Sequence, residues 1–318
     1  MFLSPVAMHI PDGFLSVLVS TILWIVSISA VAYTLRRAGK ELGERQLPLM
    51  GVLAAAIFAA QMVNFTVVGG TSGHLMGAAI ATILLGPWAA ILVITTVVGV
   101  QALIFQDGGL VVLGANIFNM AIVGVAVSYM AFRLVRWIAM GQRWGLFVGG
   151  FLAAWLSVEI ASLSVALQLA LSGTSPANLA IPTMAGIHAL IGIGEGLITV
   201  GALVFLNAAR PDLLAEGKSA QGIRTIIWVG GLLIALLLAI AAPLASANPD
   251  GLEWVAEQQG FLAAARAPLF EVIPDYVLPG VSNEALATIL AGVLGVLIVL
   301  GVTLAVAYTR RNHQASRS

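Results

Sequence analysis

The sequence contains no cysteine and very little charge, and both absences limit what the protein can be. Of its 318 residues, 60% are hydrophobic and only 9% are charged, whereas a soluble domain has about 25% charged residues. Without cysteine, the chain has no disulfide, no thiolate metal site and no cysteine nucleophile. The composition therefore predicts a polytopic membrane protein, in which any metal binds to histidine, carboxylate or backbone atoms.

Two catalytic motifs are also missing. No G-x-x-x-x-G-K-[ST] run is present, so the chain does not hydrolyse ATP by that route, and no H-E-x-x-H run marks a zinc protease. Its 14 Lys and Arg balance its 14 Asp and Glu, which leaves no basic field for nucleic acid. These absences favour a membrane protein that is not itself an enzyme.

Long apolar segments predict about nine transmembrane helices, since one crossing needs about 20 apolar residues. The segments are 14–35, 48–68, the two halves of 71–106 on either side of Gly86-Pro87, 110–132, 145–171, 183–207, 225–245 and 285–308. A reversal at Gly86-Pro87 puts every Lys and Arg except Arg266 on one side. Basic residues favour the cytoplasm, so we expect the N-terminus outside and the C-terminus inside.

A polar stretch divides the chain into two predicted units. Residues 8–208 form a seven-helix metal-binding domain, and residues 209–224 form a cytoplasmic linker. Residues 225–318 form a two-helix C-terminal unit, whose acidic loop 246–284 lies outside. The expected fold class is an all-α polytopic membrane protein.

Histidines at the external face are the strongest candidates for metal ligands. If the chain starts at Met8, then His9 is its second residue, and the terminal amine, the backbone nitrogen and the imidazole can all bind one ion. A fourth nitrogen would complete a square, a geometry that suits Ni(II) or Cu(II). His74, in the glycine-rich stretch GGTSGHLMGA, is the natural fourth donor. A single external histidine is more often not a ligand, and GGTSG could be only a turn.

Other polar residues near the external ends of the spans are expected to surround these ligands. They are Asn64, Thr71, Ser72, Gln101, Asn116 and Asn119. His188 and Glu195 are seven residues apart and share one helix face, where either could orient a ligating histidine. A protonated Glu159 between packed helices is explained equally well as a structural residue, so its role stays open.

Three stretches resemble the CbiM/NikM family, the substrate-binding subunits of energy-coupling-factor (ECF) transporters for cobalt or nickel. They are MHIPDGFLS (8–16), QMVNFTVVGGTSGHLMGA (61–78) and IHALIGIGEGLIT (187–199). Thr66 departs from the proline expected after Asn-Phe. The stretch NPDGLEWV (248–255) resembles the PDGLE segment that takes the place of the small accessory component in such transporters. Alone, it would read as an ordinary Pro-Asp-Gly turn.

The resemblance implies a ligand set, a substrate and partners. The amine of Met8, the backbone nitrogen and imidazole of His9, and the imidazole of His74 would hold Ni(II) or Co(II), without an organic cofactor. A transmembrane coupling subunit and ATP-binding subunits, encoded separately, would drive uptake across the prokaryotic cytoplasmic membrane. Small residues on one helix would contact the coupling subunit or merely pack within the lipid-embedded bundle. They are Ala55, Ala56, Ala59 and Ala60.

The position of Met8 predicts that translation of the working protein starts there. With residues 1–7 attached, the Met8 nitrogen is an amide, which binds metal less readily, and MFLSPVA is too short for a signal peptide. Residues 1–7 are then a wrongly assigned leader. Nickel is slightly favoured over cobalt. The alternatives are a stand-alone metal channel or secondary transporter, an intramembrane metallohydrolase using His9, His74 and Glu195, and a membrane scaffold.

Overall fold

The computed structural model describes residues 8–41, 46–214 and 223–315, and these segments are mostly helical. The first half contains α1 Val17–Glu41, α2 Gln46–Gln61, β1 Phe65–Val67, β2 Thr71–Gly73, α3 Ala78–Leu85, α4 Pro87–Val100, α5 Leu113–Asn116 and α6 Gly124–Ile138. The second half contains α7 Trp144–Leu171, α8 Ala177–Ala209, α9 Pro211–Leu214, α10 Ile223–Ala241, α11 Gly251–Gln259 and α12 Glu284–Ala315. A π-helical segment, Gln101–Phe105, extends α4, and another, Ile117–Val123, joins α5 to α6.

Seven helices of the described segments are long and apolar enough to cross a membrane. Two of the nine predicted spans are shorter than expected, because α2 has 16 residues and α3 has only eight. The prediction extended the second span to residue 68 and began the third at 71. Instead, the chain leaves the helix at Gln61 and forms an antiparallel hairpin in which Thr66 pairs with Ser72. Apart from this short two-stranded hairpin the described segments are mostly helical, which confirms the predicted all-α fold class.

The predicted reversal at Gly86-Pro87 is present. Gly86 ends α3 and precedes α4 with φ 77° and ψ 168°, a backbone conformation that residues other than glycine rarely adopt. Pro87 then occupies the first turn of α4, where its missing N–H costs nothing. The chain therefore runs away from the β-hairpin along α3 and returns along α4.

Five segments meet at one end of the bundle, which we call the loop end. They are residues 8–16, 62–77, 106–112, 172–176 and 245–283. Main-chain hydrogen bonds join them: Arg266 N–H donates to the Asp12 carbonyl at 2.8 Å, and Ser246 N–H donates to the Asn64 carbonyl at 2.8 Å. The Thr174 hydroxyl donates to the Phe14 carbonyl at 2.5 Å. The arginines near the far ends of α1 and α6 lie at the opposite end, as the charge pattern predicts.

Helices α10 and α12 of the C-terminal unit pack against α2. The approach is close: a Cβ on Gly51 of α2 would lie 2.9 Å from Leu304 of α12. As a result Ala55 and Ala59, two of the four alanines expected to contact a coupling subunit, are fully buried within this chain. The expected contact is therefore not available to these two, and Ala56 and Ala60 are partly exposed.

Candidate metal centre

The segment 8–16 that precedes α1 is not helical, and side chains from the 106–116 region hold it in place. Asn116 clamps Ile10, since its Oδ1 accepts the Ile10 N–H at 3.1 Å and its Nδ2 donates to the Ile10 carbonyl at 3.1 Å. Asp12 in turn accepts the N–H groups of Val111 and Val112. The backbone beside His9 is therefore fixed from both sides by Asn116 and Asp12.

Both proposed metal-binding nitrogens of His9 face a single oxygen. The His9 backbone N–H donates to Oδ1 of Asp107 at 3.3 Å, and Nδ1 of the ring lies 3.0 Å from the same atom. His9 is only 4% exposed, and neither ring nitrogen has an aligned hydrogen-bond partner. Burial alone would lower the pKa of His9, but Asp107 and, more weakly, Asp250 raise it above its ordinary value.

Asp107 is held in turn by the C-terminal unit. The Tyr276 hydroxyl donates to Oδ2 of Asp107 at 2.5 Å, and its ring stacks on Phe105 with centroids 4.9 Å apart. Burial would raise the pKa of Asp107, but His9 and the Tyr276 hydroxyl hold it below its ordinary value. Neither Asp107 nor Tyr276 was predicted as a site residue. Asp107 follows an apolar run in a Gln-Asp-Gly-Gly turn, whereas nothing in the sequence near Tyr276 signals this contact.

His74 follows β2 directly and faces His9. The two ring centroids are 5.4 Å apart at an interplanar angle of 65°. Nδ1 of His74 lies 3.2 Å from the Leu75 carbonyl, and a proton on Nδ1 would leave Nε2 free to bind metal. The hairpin thus brings together His9 and His74, two residues far apart in sequence, as the ligand hypothesis requires.

Glu195 of α8 supports the chain just after His74. Its Oε2 accepts the Met76 N–H at 2.6 Å and its Oε1 accepts the Gly77 N–H at 2.9 Å. Glu195 is fully buried. The two N–H groups that it binds lie at the start of α3, where a helix has no carbonyl of its own to accept them. Glu195 thus binds the main chain just after His74, and its expected role beside a ligating histidine stays a prediction.

His188 of α8 lies at the same cavity as His9 and His74. Its Nδ1 lies 2.8 Å from the Met184 carbonyl one turn earlier. The cavity has a volume of about 100 Å³, and Met8, Asp250 and the three histidines line it. Within the described segments, no three His, Asp or Glu side chains are arranged to hold a metal ion by themselves.

The remaining predicted residues lie in three different settings. Thr71 and Ser72 of β2 bind the segment 248–250 rather than the histidines. Asn119 lines the cavity and bonds to Gln168 of α7. The others are outside the cavity lining: Asn64 is partly buried beside β1, Gln101 is fully buried in the π-helical segment after α4, and Glu159 is partly exposed on α7.

Comparison with known proteins assigns this helical membrane bundle, with two histidine rings beside a small cavity, to the class of metal transport proteins. Residues 9–213 match the family model described as the cobalt uptake substrate-specific transmembrane region, CbiM. Residues 225–312 match the PDGLE domain. The chain therefore belongs to the CbiM family, whose members are nickel and cobalt transport proteins.

Individual relatives extend the likeness over the whole chain. A fused nickel transport protein, NikMN, of Rhodobacter capsulatus is 31% identical and aligns with 96% of this chain and 99% of its own length. A cobalt transport protein, CbiM, of Sorangium cellulosum is 38% identical over 58% of this chain and 84% of its own. The crystal structure of a truncated transition metal transporter superposes with a TM-score of 0.57 at 30% identity, covering 63% of this chain and 98% of that one.

Proposed function

We propose that this chain is the metal-capturing subunit of an ATP-driven ECF-type importer of nickel or cobalt ions. The observation that carries the proposal is the convergence of the backbone nitrogen and Nδ1 of His9 on one point, 3.3 and 3.0 Å away, beside the ring of His74. One residue that presents two nitrogens to one point is arranged as a chelate. The buried ring nitrogens of His9 lack aligned partners, which fits a group that receives its partner as substrate.

The chemistry follows from these nitrogens. An ion bound to the backbone nitrogen and Nδ1 of His9 closes a six-membered ring, and the amine of Met8 would close a five-membered ring beside it. Nε2 of His74 would be the fourth donor. The amide of His9 must lose its proton on binding, and the imidazoles must be neutral, so affinity should rise with pH. Oδ1 of Asp107 lies at the point on which both His9 nitrogens converge, so Asp107 would have to move for an ion to bind there.

Four nitrogens in a plane suit nickel, and we propose nickel as the slightly preferred substrate over cobalt. The fused relative of R. capsulatus, which carries the same two-unit arrangement, is described as a nickel transport protein. Cobalt remains the alternative, since the matched family model is described as a cobalt uptake region.

The energy for uptake would come from separate subunits. We propose a transmembrane coupling subunit and ATP-binding subunits as partners in the prokaryotic cytoplasmic membrane, because the sequence has no P-loop of its own. The loop end would face outside and the C-terminus the cytoplasm, because the arginines cluster at the other end. The chain would divide into residues 8–208, a linker 209–224 and the C-terminal unit.

Native mass spectrometry of detergent-purified protein tests the ligand set. Chains that start at Met8 or at Met1 are each loaded with equal Ni(II) and Co(II). The Met8 chain is expected to bind one ion, with nickel in excess. His74→Ala should lose the ion, whereas the matched control His313→Ala should retain it. Equal binding by the Met1 chain would refute the role of the Met8 amine, and an ion retained by His74→Ala would refute the whole site.

A further inference from the structure

Asp250 of the PDGLE segment is at the N-cap of α11 but does not cap it. Aspartate at this position usually accepts an N–H from the first turn of its helix. Here the side chain makes no such bond, and its Oδ2 instead lies 3.9 Å from Nε2 of His74. Asp250 is 7% exposed. Its carboxylate therefore lacks the usual hydrogen bond to the helix at a position that water reaches only in part.

The main chain around Asp250 is tied to the strand that carries His74. Ser72 N–H donates to the Pro249 carbonyl at 2.8 Å, and the Ser72 hydroxyl donates to the Asn248 carbonyl at 2.9 Å. The Thr71 hydroxyl adds a bond to the Pro249 carbonyl at 3.0 Å. The carboxylate of Asp250 is therefore held in a fixed position relative to His74, which lies two residues beyond Ser72.

Gly251 brings the same segment against α8. A Cβ at this position would lie 2.6 Å from Ile191 and 3.1 Å from the ring of His188. A side chain here would press on the end of Ile191 and on the His188 ring, so glycine lets the Asp-Gly pair lie against the cavity wall without displacing them. Asp250 lines the cavity together with His9, His74 and His188.

We propose that Asp250 is the countercharge of the metal site, supplied by the C-terminal unit to the ion held by His9 and His74. This inference rests on the proposed function. A divalent ion bound by two imidazoles, an amine and one deprotonated amide keeps a net positive charge. A fixed carboxylate at a partly dehydrated position favours such a charge more strongly than it would in water. Asp250 thereby joins the two family domains in one binding site.

The test measures nickel affinity of the full chain starting at Met8, by competition with a coloured chelator. Asp250→Asn keeps the size of the side chain and removes its charge, and we expect it to weaken binding by about ten- to a hundredfold, in the range that one nearby charge supplies at intermediate dielectric. Glu257→Gln, which changes an exposed carboxylate on the same helix α11, is the matched control and should bind as the wild type does.

Two further readouts separate a countercharge from a structural part. The absorption spectrum of bound Ni(II) should stay that of a planar four-nitrogen complex in Asp250→Asn, and the melting temperature of the metal-free protein should hardly change. Wild-type affinity in Asp250→Asn would overturn the proposal, and so would a lower affinity that only follows a lower melting temperature.

A second variant keeps the proposal open to refutation if Asp250→Asn does not fold. Ser72→Ala leaves the carboxylate in place but removes one tie that fixes it, and a smaller loss of affinity is expected; no loss would count against the proposal. His74→Ala reports on the proposed function separately. If that variant loses nickel while Asp250→Asn binds normally, the metal site stands and the countercharge fails.

Discussion

Replacing Glu195 with glutamine should destabilise the protein and weaken metal binding together. The carboxylate accepts the N–H groups of Met76 and Gly77 at 2.6 and 2.9 Å. A buried N–H that is left without an acceptor costs about 1–3 kcal/mol. The amide of glutamine keeps one neutral acceptor, worth about 1 kcal/mol, and turns its NH2 toward the other N–H. The expected net loss in the free energy of unfolding is therefore about 1–3 kcal/mol.

The metal affinity should fall because the two amides directly follow His74 and Leu75. If about 1.4 kcal/mol of that loss also lowers the free energy of metal binding at His74, the dissociation constant rises about tenfold. Unfolding in a denaturing detergent titration and nickel competition on the same preparations give the two numbers.

Glu159→Gln is the matched control. Glu159 lies on the neighbouring helix α7, is partly exposed and does not line the cavity, so its replacement should change stability by less than about 0.5 kcal/mol. If Glu195→Gln unfolds and binds nickel as the control does, then the carboxylate does not hold the chain at His74 and the reasoning is wrong.

Three other changes have definite expected outcomes. Asp107→Asn removes the partner that raises the pKa of His9. The ion pair stabilises the fold fully between pH 3.8 and pH 6.5, the ordinary pKa values of the two groups. This contribution to stability is lost as pH falls through the lowered pKa of Asp107 or rises through the raised pKa of His9. Unfolding measured against pH should show the difference between wild type and variant vanish at both extremes, and a constant difference would contradict the pairing. Asn116→Ala removes both bonds to Ile10 and should cost about 1–3 kcal/mol of stability and weaken nickel binding; unchanged binding in a competition assay would show that Ile10 need not be clamped. Gly251→Ala places a Cβ against Ile191 and His188 of α8. It should lower the free energy of unfolding by about 1–3 kcal/mol, and with it the melting temperature. An unchanged melting temperature in a calorimetric scan would disprove this.

Much of the helical scaffold could be predicted from hydropathy, because long apolar runs leave few alternatives in a bilayer. The seven long helices follow from their length, and the reversal at Gly86-Pro87 follows from two residues with strong backbone preferences and from the positions of the arginines. The hairpin 65–73 could not be predicted in this way. Its first strand, Phe65–Val67, continues the apolar run of the helix before it, and hydropathy does not distinguish such a strand from the end of a span.

The candidate site was predictable only in its local part. His9 and His74 were found from their sequence contexts, and the structure places their rings together. Asp107 and Tyr276 were missed because their contact joins residues 169 positions apart, and no local pattern records such a distance. Asp250 was noted in the PDGLE motif, but its orientation toward His74 depends on how the C-terminal unit packs on β2.

The shortness of α3 determines how deep a bound ion would lie. Helix α8 begins at Ala177, and Glu195 lies about 27 Å further along it at 1.5 Å per residue. There Glu195 contacts the start of α3. From there α3 adds only about 12 Å before the chain reverses at Gly86. His74 lies at the loop end just before α3, and this single helix of eight residues runs from there to the reversal at Gly86. If an ion binds beside His74 as we propose, the helix below it spans less than half of the hydrocarbon core of a bilayer, which is about 30 Å thick.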